Sequence, residues 1–65
     1  MKQLTMSQWK TIFNNLQETE EEVEIQWLDS TNEWCLCCDC ELFEDGFTSE
    51  REAMNRLHEL ENKFL

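Results

Sequence analysis

Cys35, Cys37, Cys38 and Cys40 fall within six positions of the stretch Glu33-Trp34-Cys35-Leu36-Cys37-Cys38-Asp39-Cys40-Glu41, and the 65-residue chain has no other cysteine. Thiolates bind soft metals and, when their pKa is lowered, act as nucleophiles. A structural zinc site draws two ligands from each of two separated segments, so that the chain can wrap a tetrahedron. Here all four thiols belong to one segment, and the one histidine, His58, stands alone. A zinc site on Cys35, Cys37, Cys38 and Cys40, or one shared across a dimer by Cys35 and Cys37, is therefore an alternative rather than the expectation. Glu33, Asp39 and Glu41 surround the cluster and disfavour thiolate formation, so redox chemistry is not expected. In a strand, Trp34, Leu36, Cys38 and Cys40 share one face and Cys35 and Cys37 the other. The thiols then serve mainly as small apolar residues, as free cysteine often does.

Carboxylates are the other abundant functional group. The chain holds fifteen acids against five bases, a net charge of −10. Residues 11 to 50 contain Glu18, Glu20, Glu21, Glu22, Glu24, Asp29, Glu33, Asp39, Glu41, Glu44, Asp45 and Glu50, and no lysine or arginine. The bases stand at the two ends: Lys2, Lys10, Arg51, Arg56 and Lys63. General acid or base work requires a cleft that sets one carboxyl apart, and a core this small leaves no room for one. No glycine-rich phosphate loop is present, and no enzyme activity or cofactor is expected. Direct binding to nucleic acid or to an anionic membrane is disfavoured, because phosphate contacts need cations.

These groups are positioned by few elements. Thr5 and Gln8 have capping-box spacing, Leu4 and Trp9 that of a hydrophobic staple. Trp9, Ile12, Phe13 and Leu16 then form a helical stripe, predicting a helix from Met6 to Glu18. The segment from Glu22 to Leu28 alternates polar and apolar residues, which predicts a strand with Val23, Ile25 and Trp27 on the core face. Asp29-Ser30-Thr31-Asn32 is a turn, a second strand follows from Glu33, and Leu42-Phe43-Glu44 predicts a third, short one after a turn at Asp39-Cys40. Asp45-Gly46, with the one glycine, should turn the chain. Ser49 to Glu52 is a second capping box, ahead of a helical stripe of Ala53, Leu57, Leu60 and Phe64. Residues 1-65 thus form one α+β domain in the order α-β-β-(β)-α. A small antiparallel β-sheet of two or three strands carries an N-terminal and a C-terminal helix on one face.

Such a sheet leaves its other face open, where Cys35, Cys37 and Phe43 are expected. A homodimer through that face, making the chain an interaction module, is a second functional expectation. There is no apolar N-terminal run and no segment of membrane-spanning length, so a cytoplasmic location is expected. Reduced thiols fit that compartment.

The first functional expectation comes from charge. On a strand, Glu20, Glu22 and Glu24 would stand about 6.6 Å apart on one side, a row of anions able to stand in for a phosphate backbone. In size, acidity and α/β plan, the chain resembles the small inhibitors carried by phages, among them anti-CRISPR proteins, DNA mimics and inhibitors of host polymerase. That resemblance implies a non-enzymatic inhibitor whose partner is a host nucleic-acid-binding protein with a basic groove. The residues expected to meet it are Glu20, Glu22, Glu24, Asp29, Glu33, Asp39, Glu41, Glu44 and Asp45.

Overall fold

Helix α1, Met6–Thr19, begins at Thr5, whose hydroxyl accepts from the Gln8 amide at 3.1 Å while the Gln8 side chain accepts from the Thr5 amide at 2.8 Å. The capping box read from the sequence is thus complete. The chain leaves α1 through Glu20 in the left-handed region at φ 59°. The Glu20 and Glu21 amides donate back to Gln17 and Leu16, at 3.4 and 2.9 Å. This is a Schellman closure with glutamate at the position that favours glycine.

Three strands follow, β1 (Glu24–Leu28), β2 (Glu33–Cys38) and β3 (Glu41–Phe47), and then helix α2 (Glu50–Phe64). The computed structural model describes residues 2–65. The sheet is an antiparallel meander in the order β1-β2-β3, which makes the fold α+β. Residues 39 and 40 form a two-residue turn with φ of 46° and 69°. Two positive φ values match the twist that joins antiparallel strands tightly.

The third strand departs from the period-2 reading. Leu36 pairs with Glu44 and the adjacent Cys37 with Leu42, so Phe43 is an extra residue in β3. A second shift falls between the Leu36–Glu44 and Trp34–Phe47 pairs. Gly46 at φ 87° lies inside it, so Asp45-Gly46 bends the strand without ending it. Bulges of this kind place neighbouring side chains on the same side of the sheet. Phe43 and Glu44 therefore both face the helices, although strict alternation separates them.

Trp9, Phe13, Val23, Leu36, Cys38, Phe43, Ala53, Leu57 and Leu60 form the core. Trp9 is its hub, with ring centroids 5.6 Å from Phe13 and 5.5 Å from Phe43. Trp27, expected in the core, is 44% exposed instead. Its ring lies 5.4 Å from Trp34, and its indole N–H donates to Asp29 at 2.6 Å. The N-cap of α2 is Ser49, which accepts from the Glu52 amide at 3.2 Å. The Glu52 carboxylate bonds to Thr48 rather than closing a box on Ser49.

Candidate functional site

The sequence offered two groupings, thiols and carboxylates, and the fold divides both. Cys38 joins the helix-facing core. Cys35, Cys37 and Cys40 line a shallow depression on the other face with Gln26, Leu28 and Leu42. Cys40, expected beside Trp34 and Leu36, is exposed at the turn, because its positive φ takes it out of strand alternation. Among the described residues no group of three or more His, Cys, Asp or Glu side chains is placed to hold a metal ion. Burial, then the neighbouring Cys35 thiol and Glu24, push the Cys37 thiol up to about 11. Burial and Glu21 likewise raise Cys38. Thiols held protonated in this way are poor nucleophiles.

The proposed dimer face changes with them. Phe43 does not lie on it; the bulge turns Phe43 to Trp9, where it is 4% exposed. Cys35 and Cys37, at 1% and 7%, are already buried within the single chain. What remains open there is lined by the half-buried Leu28 and Leu42 and the exposed Cys40.

Of the nine carboxylates expected at a binding surface, Glu44 is the clearest correction. It is 1% exposed. Arg56 donates to both its oxygens, Nε to Oε1 and Nη2 to Oε2, each at 3.0 Å. Trp9 Nε1 donates to Oε2 at 2.7 Å and the Leu4 amide at 3.1 Å. Burial alone would push this carboxyl up, but the Arg56 guanidinium, the indole and the amide outweigh it and hold it below the usual carboxylate range. Glu44 ties both helices and the N-terminal segment to β3. It has no free oxygen to offer a partner.

The remaining eight separate into groups. Asp29 and Glu33 flank the β1–β2 turn, at the opposite end of that hairpin from the acidic link. Asp45 receives the Lys2 amide and donates its own amide to the Lys2 carbonyl. Glu41 starts β3 opposite Cys38 and borders a different hollow with Lys2, Leu42 and Phe43. Glu20, Glu22, Glu24 and Asp39 do come together, and Glu21 joins them. These five carboxylates and Cys38 line one open cleft of about 470 Å³.

The cleft is not the strand-borne row expected from the sequence. Strand β1 starts at Glu24, so Glu20 and Glu22 lie on the connection from α1. The left-handed cap at Glu20 swings this connection across the sheet end, where the β2–β3 turn presents Asp39. Glu21 was not among the expected residues, because period-2 placement put it on the other side of a strand that does not extend there. It accepts from the Cys38 thiol at 3.6 Å. Among the described residues the ion pairs are Arg56 with Glu44 and Arg56 with Glu59, so no basic side chain neutralises the cleft. Set against known protein families, curated proteins and solved structures, the chain matches none of them.

Proposed function

We propose that this chain is a non-enzymatic inhibitor that uses its acidic end to occupy the basic, nucleic-acid-binding surface of a host protein. One observation carries the reading. Glu20, Glu21, Glu22, Glu24 and Asp39 converge on one cleft, and among the described residues no basic side chain pairs with them. Unpaired like charges held together repel and cost stability, and a cationic partner removes that repulsion while it binds. Converging charges also focus the field, raising association rates by about 10- to 1000-fold at low salt. The backbone that carries them is anchored by the α1 closure and by the β2–β3 turn.

The test begins with the protein that the tagged chain captures from host cells. Adding the inhibitor should displace fluorescent nucleic acid from that purified partner, seen as a fall in anisotropy. Substituting Glu20, Glu22 and Glu24 together by Gln should lower the association rate at least about tenfold at low salt and flatten its salt dependence. Displacement unaffected by the triple substitution, or a partner without affinity for nucleic acid, overturns the reading.

A further inference from the structure

Beside the acidic cleft lies a second depression of different chemistry, between the C-terminal ends of α1 and α2, with a volume of about 250 Å³. Its apolar walls are Phe13 and Leu16 of α1, Val23 of the connection, and Leu65. Glu20, Glu21 and Glu22 stand along one side, and Glu61 of α2 adds a fourth carboxylate. The same three consecutive glutamates border the acidic cleft. The two hollows are therefore neighbours across one acidic wall.

We infer that this pocket is the seat of a single arginine side chain from the basic partner. The inference rests on the proposed function for the origin of that arginine. The choice of occupant follows from the lining. An apolar group alone would desolvate the rim carboxylates with nothing in exchange. An anion is repelled. A compact cation satisfies the rim but leaves the half-buried Leu16 and the exposed Leu65 wet. A long apolar stem ending in a cation uses both parts, because its methylenes cover the wall while the charged head stays at the rim. Arginine suits a rim of several carboxylates better than lysine, since its planar guanidinium presents five N–H donors in a fixed fork. Among the described residues, no basic side chain of the chain itself pairs with Glu20, Glu21, Glu22 or Glu61. An arginine seated here would place flanking cations of the partner across the shared wall, towards Glu24 and Asp39. Arginine anchors in central pockets are a recurrent source of interface affinity.

The two hollows make different demands on a ligand, and that difference supplies the experiment. The intact protein is titrated with guanidinium, ethylguanidinium and butylguanidinium at constant ionic strength, followed by amide and methyl NMR shifts. Affinity should rise by about fourfold for each methylene buried, with the largest shifts at Phe13, Leu16 and Val23. Glu61→Gln, on the α2 side of the pocket and outside the acidic cleft, should weaken butylguanidinium binding two- to fivefold on the order of one weakened charge-assisted contact. Its unchanged thermal melting would exclude a loss of fold. Affinity independent of stem length, or shifts confined to Glu24 and Asp39, overturns the arginine seat and leaves the proposed function standing. Stem-dependent binding in a chain that displaces no nucleic acid from its partner does the reverse.

Discussion

Glu44 and the Glu20–Glu24 region contain the same functional group in opposite settings. Glu44 lies inside, 1% exposed, with donors from Arg56, Trp9 and Leu4 on its two oxygens. Glu20, Glu21, Glu22 and Glu24 lie outside, and among the described residues no basic side chain pairs with them. A carboxylate that is dry must be paired, and one that is wet need not be. Acidity alone therefore does not identify a binding surface. Burial and pairing separate the carboxylate that holds the fold from those available to a partner.

The largest effect should come from breaking the inner pair. Arg56→Met strands the Glu44 charge in the core and should cost about 3–5 kcal/mol in urea denaturation. That is a large part of the total stability of a small domain. The double substitution Glu44→Met with Arg56→Met should recover most of it, because no unpaired charge is left behind. A loss under 1 kcal/mol from Arg56→Met alone would dissolve the contrast drawn above.

Acid should act on the inner carboxylate in a defined direction. The folded pKa of Glu44 lies below its ordinary 4.5. Its stabilising contribution is complete above that ordinary value and is lost as pH falls through the lower folded value. Denaturation midpoints measured downward from pH 5 should therefore drop more steeply in the natural chain than in Glu44→Gln. Equal slopes would show that Glu44 is not paired in solution.

At the outer end the expected effects on stability are smaller and of opposite sign. Glu20→Gln, Glu22→Gln and Glu24→Gln together should raise stability by about 1 kcal/mol at low ionic strength, through lost repulsion, with the gain disappearing in high salt. Glu20→Gly should add about 0.5–1 kcal/mol at any salt concentration, because glycine enters the left-handed region without the steric penalty of a side chain. A salt-independent gain from the triple substitution would mean that repulsion is not what the wild-type cluster stores.

Much of the framework was legible in the chain. Both helices, their N-caps and their buried stripes follow from local spacing that needs no tertiary partner, such as Thr5 with Gln8 or Ala53 with Leu57 and Leu60. The first hairpin was legible for the same reason. The candidate site was legible only in part. Glu20, Glu22, Glu24 and Asp39 were expected at a binding surface and do meet. Their arrangement depends on a helix closure that a glutamate gives no local reason to anticipate. Glu21 joins them through that same closure, and Glu61 borders the neighbouring hollow only because the ends of α1 and α2 lie side by side.

The chain's own residue order determined the element types, the antiparallel meander of short strands and the uncompensated negative charge of its middle forty residues (11 to 50), since helix stripes, turn formers and charge counts are local quantities. Tertiary structure decided which faces those residues occupy. A bulge in β3 turned Phe43 and Glu44 to the same side, and the distant Arg56 made burial of that carboxylate tolerable. A bulge shifts every later side chain of its strand by one place, and an ion pair spans residues twelve apart in sequence. Neither can be settled by reading along the chain, because each exists only when separated segments meet.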